Sequence, residues 1–193
     1  MDGQPPQNGC VRLRGIIRIG WLLLGLLPVL SFAQTATNLP VREWGPVFQG
    51  YALSIMADNT TYSNGQPVLL TITLKNAGTN DINVVYVPAE NPFRVYDIQV
   101  TSQDGKLVPT TAVGEGLIAG TKQAGSFTMT PLKAQGETSV TLVLDKYFNL
   151  TLPGRYDILV TREVRLGESN TWIDVLSNEI EIGVTTNASA SVP

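Results

Sequence analysis

From Tyr51 onward, aliphatic and polar residues alternate with a period of two, and each alternating run ends in a turn. The clearest run is Tyr62 to Asn76, YSNGQPVLLTITLKN. Asn64-Gly65 supplies a turn, and Pro67 stands at a strand start, where a backbone donor is dispensable. Leu70, Ile72 and Leu74 then alternate with Thr71, Thr73 and Lys75, which puts aliphatics on one face and polar side chains on the other. The segment 76–81 turns the chain. Strands are predicted over 82–87 and 93–101, divided by the breaker Pro88-Ala89-Glu90-Asn91-Pro92, and Asp104-Gly105 predicts a hairpin into 106–111. Farther on, Val140, Leu142 and Leu144 alternate with Thr141 and Val143. Tyr156, Ile158 and Val160 do so with Asp157, Leu159 and Thr161, and Ile180, Ile182 and Val184 with Glu181 and Gly183. With 51–57 and 126–130 counted, eight or nine short strands and no sustained helical period predict an all-β sandwich.

Leu152-Pro153-Gly154-Arg155-Tyr156 lies between two of these strands, where a sandwich crosses from one sheet to the other. Pro and Gly make the bend, and a tyrosine just after it can return its hydroxyl to an upstream backbone group, the tyrosine corner of Greek-key sandwiches. Tyr62–Asn76 (Y-x-x-G-Q-P-V-x-L-x-I-x-L-K-N), Asp104-Gly105-Lys106, Leu144–Leu150 with Pro153-Gly154-x-Tyr156, and Ser177-Asn178-x-Ile180-x-Ile182 resemble bacterial exported immunoglobulin-like modules. These include the module of the intracellular proteinase inhibitor family and the Ig-like domains beside secreted enzymes. The resemblance covers residues 51–184. It implies an immunoglobulin-like Greek-key β-sandwich acting as a stand-alone or accessory binding domain. No functional residue carries over, because no inhibitory or ligand-contacting motif matches.

The N-terminus follows another pattern. Arg12, Arg14 and Arg18 precede an uncharged apolar run, Ile19 to Phe32, and Ser31-Phe32-Ala33 offers a small-x-small exit. These are the parts of a secretory signal, with cleavage expected after Ala33. The run has 14 residues and contains Pro28, short of the ~20 needed to span a bilayer. Membrane association is therefore expected only if the signal stays uncleaved. Residues 1–33 are expected to be the signal, 34–50 a lead-in linker, 51–184 the sandwich and 185–193 a loose tail. The exported protein would be periplasmic or extracellular.

Removing 1–33 takes away one acid and three bases, which leaves 10 Lys+Arg against 15 Asp+Glu and a net charge of −5. An acidic chain with no basic stripe is not suited to nucleic acid. The single cysteine, Cys10, goes with the signal, so no disulfide is expected in the exported chain.

The chain has no histidine. That removes Ser-His-Asp and Cys-His nucleophiles, His-ligated zinc and the commonest neutral-pH base. Glu179 and Glu181 share one face of a strand opposite Ile180 and Ile182, which reads as a solvated side and not as a carboxylate pair flanking a cleft. Gly114-x-Gly116-x-x-Ala119 has dinucleotide-binding spacing, but with strands expected around it and no helix following, it lacks the βαβ context that gives the spacing meaning. Asp58-Asn59, Asn80-Asp81 and Asp145 lie at strand ends without the rhythm of a calcium loop, and read as turn residues. Asn59-Thr-Thr61, Asn149-Leu-Thr151 and Asn187-Ala-Ser189 match the glycosylation pattern, which matters only in a glycosylating host. No catalytic, cofactor or metal residue is assigned.

Two features carry the binding expectation. Residues 112–125 (AVGEGLIAGTKQAG) read as a Gly-rich loop too long for a simple hairpin, with Leu117 and Ile118 at its centre. Trp172 sits near a hairpin tip made by 166–171, where an aromatic can anchor a partner or stack on a sugar, as Trp44 can in the lead-in. The sequence thus predicts a non-enzymatic exported module that binds a protein through end loops or a sheet edge. Proteinase inhibition and carbohydrate binding are the alternatives, so the expected partner is a protein, a proteinase among the candidates, or a glycan.

Overall fold

The computed structural model describes residues 42–121, 128–166 and 171–186. The basic-apolar segment with its Ala33 exit, Cys10, the end of the tail and Asn187 lie outside them. Among the described residues, no helix is long and apolar enough to cross a membrane.

Ten strands and one α-helix are present among these residues: β1 (Tyr51–Ala57), β2 (Thr61–Ser63), β3 (Leu69–Asn76), β4 (Ile82–Val85), β5 (Tyr96–Ser102), α1 (Ala112–Thr121), β6 (Met129–Leu132), β7 (Glu137–Val143), β8 (Gly154–Arg165), β9 (Trp172–Leu176) and β10 (Ile180–Thr185). One sheet has the order β1-β3-β7. The other runs β2-β10-β8-β5, with β9 also paired to β8, and β4-β6 form a separate ribbon. The molecule is an all-β, immunoglobulin-like Greek-key sandwich. The strand count exceeds eight or nine because β2 is only three residues long and the final strand is broken into β9 and β10.

The alternating aliphatics do what their period demands. Leu70, Ile72 and Leu74 are wholly buried on the inner face of β3. They face Ile158 and Val160 of β8 and Ile182 of β10 within one apolar cluster that also takes Leu53, Ile55 and Leu142. On the outer face, Thr71 and Thr73 meet Thr141 and Ser139 across the β3–β7 ladder at 2.9 and 2.8 Å, hydroxyl to hydroxyl. The crossing from β7 to β8 is a tyrosine corner. The buried Tyr156 donates its hydroxyl to the Leu152 carbonyl at 2.5 Å and pins the Pro153-Gly154 bend.

Two local expectations are corrected. Residues 106–111 form no strand; only Leu107 and Thr110 make isolated pairings, with Thr101 and Phe148. Pro109 lacks the N–H that a continued ladder would use. Residues 112–121 are the helix α1 and not a loop. Thr111 is its cap: its Oγ1 accepts the Gly114 N–H at 3.2 Å and donates to the Lys146 carbonyl at 2.7 Å. A Cβ on Gly114 would stand 2.5 Å from the Tyr147 carbonyl, so the residue that suggested a mobile loop is instead what lets the helix seat closely. The Gly114–Ala119 spacing consequently lies within a helix and not at a strand-to-helix turn, so it lacks phosphate-cradling geometry.

Ile72→Ala should lower the stability to unfolding by about 2–5 kcal/mol, read as a reduced urea midpoint with unchanged slope. At the hairpin tip, Lys106 at 2.8 Å and the Ser102 hydroxyl hold the exposed Asp104 carboxyl down to about 2. Because the folded value is depressed, this contact supports the fold above the ordinary carboxylate range and is lost as pH falls toward 2. An NMR titration should find Asp104 ionised at pH 3, and Lys106→Met should raise its midpoint.

Candidate binding groove

The two sheets come together at one side through the edges of β1 and β10. Residues 42–48 first run back along β1: Gly45 N–H donates to the Leu53 carbonyl at 2.8 Å, and the Ser54 hydroxyl donates to the Glu43 carbonyl. Arg42 pairs with Glu137 at 2.7 Å, and the Trp44 ring lies between Arg42 and Lys75, at 5.7 and 5.5 Å. This segment needs glycine at 45, since a Cβ there would stand 2.2 Å from the Leu176 carbonyl.

The break between β9 and β10 supplies the next link. Ser177 keeps one backbone bond to Val160 at 2.9 Å, while its hydroxyl accepts the Val160 N–H at 3.0 Å. Asn178 is thereby aimed across at the other sheet. Its Oδ1 accepts the Ile55 N–H at 2.8 Å and its Nδ2 donates to the Ile55 carbonyl at 3.1 Å. One amide side chain thus imitates a ladder partner and clasps the sheets together.

Beyond the clasp, β1 and β10 diverge and leave a groove of about 550 Å³. Ile55, Met56, Ala57 and Ile180 supply its apolar lining, and Glu43, Asp58, Glu179 and Glu181 make it acidic. The basic lining residue Arg42 is committed to Glu137. Because Ile55 turns its backbone groups outward to Asn178, the alternation of the ladder turns those of Ala57 outward too. Gly183 donates outward to the Thr60 carbonyl at 2.8 Å, so Glu181, two residues before it, likewise presents its backbone to the groove. At the far end Asp58 is occupied: its Oδ1 accepts the Tyr62 hydroxyl at 2.6 Å and the Leu69 N–H at 3.1 Å. Burial, followed by that contact, pushes the Tyr62 phenol strongly upward, so it stays protonated and donating.

None of Leu117, Ile118 and Trp172 lines this groove. Leu117 is half-buried against the core from α1, Ile118 is more exposed, and Trp172 opens β9 opposite Arg165. The carboxylates weighed for calcium are dispersed into separate tasks. Asp81 binds Lys133 at 2.6 Å and the Ala134 N–H, and Asp145 accepts the Val68 N–H at 2.9 Å. Among the described residues, no three His, Cys, Asp or Glu side chains gather as a metal site would require. Sequence reasoning had the groove's parts without their role: Glu179 and Glu181 read as a solvated face, and Ser177-Asn178 only as part of the motif resembling immunoglobulin-like modules.

No protein-family model matches the chain, and no curated protein does. Solved structures similar to it include the C-terminal domain of wzt, at 11% identity and TM-score 0.45, covering 77% of this chain and 81% of that one. Structural-genomics target SoR45 matches at 10% identity and TM-score 0.43, over 72% of this chain and 90% of that one. A β-glucosidase from Listeria innocua in complex with isofagomine matches at 14% identity and TM-score 0.36; 71% of this chain is covered, but only 16% of the enzyme.

Asn178→Ala should cost about 1–3 kcal/mol, since it strands two backbone groups of Ile55. Hydrogen exchange at the Ile55 amide should accelerate, whereas exchange at Ile72 should change only through the lower global stability.

Proposed function

We propose that the protein is a non-enzymatic exported binding module that receives an extended, basic segment of a partner protein in the groove between β1 and β10. The observation that carries this reading is the pair of strand edges at Ala57 and Glu181, which present backbone groups to one acidic, partly apolar groove. An inserted strand gains main-chain hydrogen bonds from such edges and side-chain specificity from the pocket between them. The volume of about 550 Å³ lies in the range of ligand pockets. Apolar side chains at alternate positions of the segment meet Ala57 and Ile180, and Lys or Arg at the intervening positions meet Glu43, Glu179 and Glu181. Export is supported by the basic-apolar N-terminus and its Ala33 exit. The partner is thus a protein segment, neither nucleic acid nor membrane.

The test uses a fluorescein-labelled hexapeptide of alternating Lys and Val, titrated with protein and read by anisotropy. Saturable binding is expected, weakening with added salt. Glu179→Lys with Glu181→Lys should lower affinity about tenfold or more, and an alternating Glu-Val peptide should not bind. Equal binding of both peptides, or none of either, would sink the proposal. A panel of serine proteinases and soluble glycans, run beside the peptides, discriminates inhibition and sugar binding from it.

A further inference from the structure

The inward-facing residues of β8 are Tyr156, Ile158, Val160, Arg162 and Val164. One of these five is a cation. Arg162 is only 2% exposed, amid the apolar cluster. Its Nη1 donates to the Tyr96 hydroxyl at 2.7 Å and its Nη2 to the Val85 carbonyl at 2.8 Å, and the guanidinium lies 5.0 Å from the Tyr96 ring centre. Both partners are neutral. The ion pairs among the described residues leave Arg162 out, and its Nε is buried with no hydrogen-bond partner.

Tyr96 cannot serve as the missing counter-charge. Burial pushes its phenol up, more than the neighbouring guanidinium pulls it down, so it remains protonated. Arg162 is itself pushed down by burial, yet a guanidinium starts so high that it stays charged at neutral pH. Since the Tyr96 oxygen already accepts from Arg162, its own proton is a second donor for which no acceptor is present among the described residues.

A cavity of about 50 Å³ adjoins this pair, with the exposed Tyr86 in its wall. Arg162 and Tyr96 form part of its wall, with Thr130 of β6 and Thr138 of β7 as further polar residues in it. That volume admits a monatomic ion with one or two waters. We infer that this cavity is a binding site for a small monovalent anion of chloride size, held by the Arg162 guanidinium and the Tyr96 hydroxyl. The anion completes a buried ion pair that the chain itself leaves half-made. The site shares no lining residue with the β1–β10 groove and stands or falls separately from its function.

Two measurements on the full chain test it. Crystals soaked in sodium bromide should show an anomalous peak in this cavity, beside the Arg162 guanidinium and within hydrogen-bonding reach of Tyr96 Oη. Thermal midpoints should rise with sodium chloride but not with sodium gluconate at matched ionic strength. Tyr96→Phe keeps the ring and removes one donor, so it should weaken apparent chloride affinity about tenfold. Arg162→Met should abolish the chloride dependence; if it fails to fold, Tyr96→Phe carries the test alone. Water in place of bromide, equal midpoints in the two salts, or an unchanged chloride response in Tyr96→Phe would each overturn the assignment. So would a bromide peak without any chloride-dependent midpoint, which marks an adventitious ion only.

Discussion

Two stacked sheets are held face to face by apolar contact, and that contact has no direction. Leu70, Ile72 and Leu74 would be buried equally well if one sheet slid past the other by a side chain. What fixes the position must be directional, and the described residues contain no cysteine to bridge the sheets. Hydrogen bonds from side chains at the margins do this instead. Asn178 joins β10's margin to β1, Tyr156 ties the crossing into β8 to Leu152, and buried Asn76 fastens the β4–β6 ribbon to β3. It does so through bonds to the carbonyls of Asn80, Leu132 and Lys133 at 2.8–3.3 Å. Each is worth roughly 1 kcal/mol net, far less than the core, but together they choose one among many near-equal stackings.

The groove follows from the same constraint. A strand can pair with only one neighbour on each side, and β1 meets β3 along its whole length, leaving its other edge open. The fold covers that edge piecemeal: residues 42–48 over its start, Asn178 at Ile55. An edge left fully open invites aggregation, and natural sheets blunt such edges with charge or cover. Here the uncovered remainder is short and ringed by acids, which repels another copy of this acidic chain while leaving it attractive to a basic segment.

How much of this the sequence disclosed depended on the range of the interaction. The strands of the core were legible because period-two alternation is local, and Tyr156 was legible because the bend and the tyrosine are adjacent. Helix α1 was not. Its glycines argue against helix by propensity, and the contact that favours it, Gly114 against the Tyr147 carbonyl, joins residues distant in the chain. Asn178 was visible as a residue but not as a clasp, because its partner Ile55 lies 123 positions away. Arg162 had a readable signal: the alternation through Tyr156, Ile158 and Val160 continues to it with no change of phase, so the pattern that marks the core also marks a cation inside it.

That cation bears on how the sandwich is specified. Removing a guanidinium from water costs several kcal/mol, and neutral acceptors offset only part of this. An apolar residue at 162 would fill the space without the penalty, so the arginine is not explained by stability alone. What it adds is direction. Its two Nη bonds reach Tyr96 of β5 and Val85 of β4, so one side chain on β8 links a neighbouring strand to the β4–β6 ribbon. A counter-ion in the adjoining cavity would convert this costly linkage into a stabilising one. The ribbon has few backbone ties to either sheet, so its seating would then depend on an occupant that the polypeptide does not itself supply.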